Sequence, residues 1–307
     1  MKNKTDFIQK YLLWSKERFP ATGVILYSGC IFYLSYFFGK LFHNQVPMSF
    51  IKTLPGFFVI FLVLLHIRVF DEHKDYDKDV IAYPERILSK GIITLSDLRV
   101  LLYITVFLEI IVSLSFGPVQ TIVWLMIMGW SLLMLFEFFV PEFLNRHMGL
   151  YLISHQMLLP IVLLFGFSMR YDLNSIRWGD ITTIVIFMAG TMFATVTYEI
   201  ARKTWSKDRE HEHADSYTKF WGIGKAVFIN QVVAFLSGVC FSVIYALYDL
   251  HKVFNINIGI LYILFLFTGV IFFRSPTNKN SKMLELGGTL FLLGVFVNSI
   301  IAFGVFG

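Results

Sequence analysis

In the segment IKTLPGFFVIFLVLLHIRVFDEHKDYDKD, Ile51–Asp79, twenty largely apolar residues run directly into a dense cluster of charge. About 20 mostly apolar residues are what an α-helix needs to cross the hydrocarbon core of a bilayer, and Ile51–Phe70 has that length. The charges that follow, beginning Asp71-Glu72-His73-Lys74-Asp75, sit where such a helix would reach water. The segment therefore predicts a membrane-spanning helix with polar chemistry gathered at one of its ends.

Eight further apolar runs follow the same rule: Gly23–Gly39, Leu98–Phe116, Val119–Val140, Gly149–Met169, Ile181–Ile200, Ala226–Tyr248, Ile256–Phe273 and Leu286–Phe306. Loops such as 116–120 and 248–257 are short, and no linker separates a second unit, so one domain is expected over residues 1–307. The composition agrees. The chain is 56% hydrophobic and only 15% charged, whereas soluble domains hold about 25% charged residues. So little charge cannot cover a water-facing surface, and membrane lipid becomes the solvent for much of the molecule. The fold class predicted is all-α integral membrane, with nine transmembrane helices.

Orientation follows from Lys and Arg, which favour the cytoplasmic side of short loops. Of the 26 such residues, only Lys40, Lys52, Arg170, Arg177 and Lys252 fall on one face, and the other 21 alternate onto the opposite face. This predicts a cytoplasmic N-terminus, with the C-terminus on the other side. Residues 1–20, MKNKTDFIQKYLLWSKERFP, read as an amphipathic segment on the cytosolic surface and lack the apolar core and cleavage site of a signal peptide. Topology accounts for the net charge of +5, so no nucleic-acid partner is implied. Cys30 and Cys240 lie inside apolar runs and suggest neither disulfides nor a Cys/His metal site.

Two polar clusters fall on the predicted cytosolic face. Asp71, Asp75 and Asp79 are spaced i, i+4, i+8, which aligns their carboxylates if the helix continues. Magnesium takes one or two carboxylates plus substrate phosphate oxygens, so this face suits a Mg²⁺–diphosphate complex. The alternative is a solvated helix end with interleaved lysines. Downstream, Arg86 and Lys90 in a Pro- and Gly-bounded loop offer phosphate donors, as do Arg68 and Lys74 beside the acids. The second cluster runs from Tyr198-Glu199 through Arg202, Lys203, Asp208 and Glu210 to Asp215. Glu199 and Asp208 are candidates for a second metal, and Arg202 and Lys203 for diphosphate; a loop of internal ion pairs is the alternative. Tyr76 and Tyr198 flank the acids as candidate aromatic contacts to a cation. His211 and His213 have i, i+2 spacing, which is poor evidence for a transition-metal site.

Within the spans lie Glu137, His155-Gln156, Asn230-Gln231 and Asn298. Interhelical hydrogen bonding is their first reading. Glu137 and His155 are the two that could instead face a pocket and contact an acceptor or remove a proton. Pro160 predicts a kink in the fifth span.

Together these features resemble the UbiA superfamily of intramembrane prenyltransferases. That family pairs nine spans with an Asn-x3-Asp-x3-Asp motif, an Arg-Pro-x-x-x-Gly loop and a second acidic run on the loop after span six. Here Asp71-x3-Asp75-x3-Asp79 and Arg86-Ile87-Leu88-Ser89-Lys90-Gly91 match the first pair, with Asp71 in place of Asn and Ile87 in place of Pro. Glu199, Asp208 and Glu210 match the second run more loosely, and Ser216–Gly222 resembles its closing segment. The resemblance implies a central apolar cavity under a cytosolic polar cap. It implies a prenyl diphosphate substrate, Mg²⁺ held by Asp71, Asp75, Asp79, Glu199 and Asp208, and transfer to an aromatic or lipid acceptor. Two rival functions stand beside it: a UbiA-type terpene cyclase, which needs no acceptor, and a transporter or non-catalytic membrane scaffold.

Overall fold

The computed structural model describes residues 7–43, 45–46, 48–210 and 215–305. Each predicted span is helical, because a backbone in hydrocarbon must satisfy its own hydrogen bonds. Thirteen α-helices follow in order: α1 (Phe7–Arg18), α2 (Ala21–Phe38), α3 (Phe50–Lys74), α4 (Tyr76–Ala82), α5 (Leu95–Phe116), α6 (Pro118–Leu135), α7 (Pro141–Arg146), α8 (Met148–Gln156), α9 (Leu158–Ser168), α10 (Trp178–Arg202), α11 (Tyr217–Leu247), α12 (Val253–Arg274) and α13 (Asn278–Val305). Among the described residues, nine segments are long and apolar enough to cross a membrane, α8 and α9 together forming one of them, and there is no strand beyond a single bridge between Gln45 and Tyr171. The protein is a multi-pass integral membrane protein. Its outward surface carries large apolar side chains such as Phe107, Phe228 and Phe267, as lipid contact requires.

α2 packs on α3, α9 and α13, while α3 packs on α5, and α6 on α5 and α9. α10 packs on α11 and α13 and also meets α8 and α9, joining the later helices to the earlier ones. α1 lies against this bundle through Trp14, which is buried beside Phe19, while Ile8 and Leu12 stay exposed, so α1 has one covered and one open face.

Three breaks shape the bundle. The fifth span is interrupted at Met157, between α8 and α9. Pro160 explains this, since its ring has no N–H and clashes with the carbonyl four residues back, Gln156. The fourth span ends at Leu135, short of the predicted Val140, because Glu137, Phe138 and Phe139 all have positive φ, at 46°, 54° and 60°. Such a left-handed turn is rare for bulky residues. It leads to Val140, which the following Pro141 excludes from helical geometry. Finally, α11 contains Gly222 at φ 75°, ψ 159°, so its regular part starts after that residue. Gly91 closes the loop after α4 at φ 68°. Both glycines end the loop segments picked out by sequence, and both occupy backbone geometry that side chains oppose.

Candidate functional site

The helix α3 ends at Lys74 and α4 starts at Tyr76, yet the bonds Asp75 N to Asp71 O (2.9 Å) and Asp79 N to Asp75 O (2.8 Å) continue across the junction. The register of the three aspartates survives, and all three line one cavity of about 520 Å³. Arg68, Lys74 and Arg86 join them from the same stretch, and Glu199, Arg202 and Lys203 from the end of α10. Both acidic clusters thus meet at one cavity.

The ionic pattern sorts these groups. Asp79 is held by Arg18 at 3.2 Å and by Arg86, whose guanidinium also lies 3.7 Å from the Tyr83 ring centroid. Glu72, 2% exposed, accepts from Arg18 at 2.6 Å and Arg68 at 2.8 Å. Glu199 is paired with Arg202 at 2.7 Å and Lys203 at 3.2 Å. Two cations on one carboxylate hold those side chains in place around the cavity. The Asp71 and Asp75 carboxylates, by contrast, accept no hydrogen bond and form no ion pair among the described residues.

That difference bears on Mg²⁺. No group of three His, Cys, Asp or Glu side chains among the described residues is arranged to hold a metal. Two uncommitted carboxylates facing a cavity that could admit phosphate oxygens nonetheless match how magnesium is usually bound, with few protein ligands and the rest from substrate. Asp71 and Asp75 fit the ion; Asp79 and Glu199 are already engaged by cations.

Other predicted site residues stand apart. Asp208 sits on an exposed turn, Lys207–Arg209, and does not line the cavity. Lys90 is exposed outside it. Tyr76 packs against the cluster around Trp14 and Val69, and Tyr198 against the main core. Glu210 accepts hydrogen bonds from Ser216 and Thr218 at 2.9 and 2.8 Å, fastening the loop before α11. His211 and His213 lie outside the described residues.

Sequence reasoning missed several cavity groups. Arg18 arrives from α1 and Tyr217 from the start of α11, while Asp215, at the end of the second cluster, joins them just ahead of that helix. Tyr151 lines the cavity and accepts from Lys74 Nζ at 3.1 Å. Their only signal was proximity to the acidic runs, or, for Tyr151, four-residue spacing from His155. Tyr27, Ile31, Leu64, Ile67, Leu159 and Val162 add an apolar part to the lining of the same cavity.

Away from the cavity, His66 on α3 bonds Glu109 on α5 at 2.8 Å and Ser131 on α6 at 3.0 Å, and Trp124 donates to Glu109 at 2.8 Å. His66 and Glu109 are both fully buried. Asn298 makes the interhelical bonds expected of it, to Asn257, Tyr245 and the Phe254 carbonyl. Asn230 and Gln231 do not: neither amide has a hydrogen-bond partner among the described residues.

No protein-family model and no curated protein matches the chain by sequence. Among solved structures, it is similar to a digeranylgeranylglyceryl phosphate synthase, with a TM-score of 0.66 and 18% identity over 96% of this chain and 98% of the other. It is also similar to a UbiA homolog from Aeropyrum pernix K1, with a TM-score of 0.65 and 12% identity over 88% of this chain and 97% of the other. Nine spans in this packing, with the two acidic clusters at one cavity, place the chain in the UbiA fold.

Proposed function

We propose that this protein is a UbiA-type intramembrane prenyltransferase, which ionises a prenyl diphosphate and passes the prenyl group to an aromatic or lipid acceptor. The observation that carries this reading is one cavity lined both by charged side chains and by apolar ones. These match the two parts of a diphosphate-headed isoprenoid.

In this reading Arg86 and Arg68 offer guanidinium forks to the diphosphate, with Lys74 and Lys78 beside them. Asp71 and Asp75 would hold Mg²⁺, which when bound offsets the negative charge of the departing pyrophosphate. Arg202 and Lys203 approach the cavity from the end of α10, where Glu199 holds them ready. As the carbon–oxygen bond breaks, its electron pair leaves with pyrophosphate, and these fixed cations stabilise that charge. Ile31, Leu64 and Val162 keep water from the allylic cation, and the Tyr27 ring offers it an aromatic face. The Lys and Arg asymmetry supports a cytoplasmic site for these charged groups.

The test is purified protein with Mg²⁺ and prenyl diphosphates of graded length, first alone and then with aromatic and lipid extracts. Pyrophosphate and extractable products are followed. Prenylated product only with extract supports transfer. A cyclic hydrocarbon or alcohol formed without extract replaces transfer by the cyclase reading. No turnover and no Mg²⁺-dependent binding of prenyl diphosphate would remove the enzyme reading.

A further inference from the structure

Among the cavity-lining side chains, His155 has a buried ring nitrogen with no hydrogen-bond partner among the described residues. His155 lies near the end of α8, just before the break at Met157. Cavity-lining residues along this span run from Met148, Tyr151 and Leu152 through His155 and Gln156 to Leu158, Leu159 and Val162. His155 is therefore the last titratable side chain on this span before the lining turns apolar. A prenyl diphosphate seated as proposed puts its diphosphate on one side of that seam and its hydrocarbon on the other. The carbon joining them, where the bond breaks, falls at the seam.

The ring is held in one orientation. Its Nδ1 lies 2.9 Å from the Tyr151 carbonyl, an acceptor only, so Nδ1 carries the proton and donates. Tyr151 stacks on the imidazole at 4.0 Å between centroids and 16° between planes, and Phe138 meets it edge-on at 6.2 Å. Phe138 is itself held there by the left-handed turn after α6. The lone pair of the neutral ring is then on Nε2, which is buried and has no hydrogen-bond partner among the described residues. An unsatisfied buried acceptor in a cavity wall calls for a reason.

The other bases nearby serve less well. Gln156 cannot take a proton. Glu199 is neutralised by two cations, and Asp71 and Asp75 belong to the diphosphate end. Glu137 lines the cavity but sits on the turn between α6 and α7, a different element from the seam. The charged groups that act on His155 are Lys74 on α3, Glu199 on α10 and Lys203 just after it.

We propose that His155 Nε2 takes the proton released when the acceptor captures the prenyl cation. Carbon–oxygen cleavage sends its electron pair out with pyrophosphate. The acceptor's lone pair or π-pair then forms the new bond to carbon, and its proton goes to Nε2, leaving imidazolium and prenylated product. This role rests on the prenyl-transfer reading and adds to it the identity of the base.

The test compares the full chain with His155→Asn and His155→Phe in lipid nanodiscs. Asn keeps a donor for the Tyr151 carbonyl, and Phe keeps the ring stack; neither has a base at the ε position. Farnesyl and geranylgeranyl diphosphate with Mg²⁺ and lipid extract are the probes. Both variants should lose roughly a hundredfold or more in kcat for prenylated product, within the range of a general base. KM for the diphosphate should change by less than about threefold. In parallel, diethyl pyrocarbonate, which acylates unprotonated imidazole, should label wild-type His155 and spare His66, and bound farnesyl diphosphate should slow labelling at His155. Variants within about threefold of wild-type kcat, or a His155 that resists labelling, overturn the proposal while leaving prenyl transfer standing. A wild type without turnover, and without protection by the diphosphate, overturns the parent reading and this role together.

Discussion

Removing Glu109 tests the fold's buried polar network quantitatively. Its carboxylate is fully buried and accepts from two helices at once, from His66 Nδ1 at 2.8 Å and Trp124 Nε1 at 2.8 Å. In Glu109→Ala both donors lose their acceptor, at about 1–3 kcal/mol each. Two buried donors left unpaired together put the expected loss at about 2–6 kcal/mol. Neutral interhelical hydrogen bonds in membranes average about 0.6 kcal/mol, so two of them would amount to only about 1 kcal/mol. The size of the loss therefore distinguishes buried donors left without an acceptor from ordinary weak interhelical bonds. Glu109→Gln should be milder, about 1 kcal/mol. Its oxygen can still accept from Trp124 while its amide donates to His66, whose proton moves to Nε2 and on toward Ser131. The assay is reversible unfolding by denaturing detergent, read by circular dichroism and tryptophan fluorescence. A Glu109→Ala protein within about 1 kcal/mol of wild type, or a Gln variant as damaged as the Ala variant, would refute the reasoning.

Three further outcomes are expected. Asp71→Asn should abolish Mg²⁺-dependent binding of a prenyl diphosphate, whereas Asp208→Asn, on its exposed turn outside the cavity, should stay within about threefold of wild type; isothermal titration of each variant checks both. Val162→Phe adds bulk to the apolar lining and should shift preference toward shorter prenyl diphosphates, read as the kcat/KM ratio for geranyl over geranylgeranyl diphosphate; an unchanged ratio would place the chain elsewhere. Gly166→Leu should destabilise the contact of α9 with α2, since even a Cβ there would meet Ser35 and the Phe32 carbonyl, and a thermal midpoint equal to wild type would contradict that packing.

The fold was legible because hydrocarbon imposes one rule on every span, and apolar length alone records it. The places where prediction slipped are those where backbone geometry departs from helix. The turn at Glu137–Phe139 has no glycine to announce it, so the fourth span read as longer than it is. Pro160 did announce its break. At the site, the Asp71, Asp75 and Asp79 register could be read from spacing, because helical periodicity fixes it. Which carboxylates stay uncommitted could not, because Arg18 reaches Glu72 and Asp79 from a helix more than fifty residues away in sequence. The His66–Glu109 pair escaped notice for the same reason: each is a lone polar residue within an apolar run, and only packing brings them together.

The most direct measurement of the central claim is Mg²⁺-dependent pyrophosphate release from geranylgeranyl diphosphate, with lipid extract present, by wild-type protein and by Asp75→Asn. Release by wild type should require Mg²⁺ and fall by roughly a hundredfold or more in the variant. Release that ignores Mg²⁺, or an Asp75→Asn protein as active as wild type, would contradict the claim.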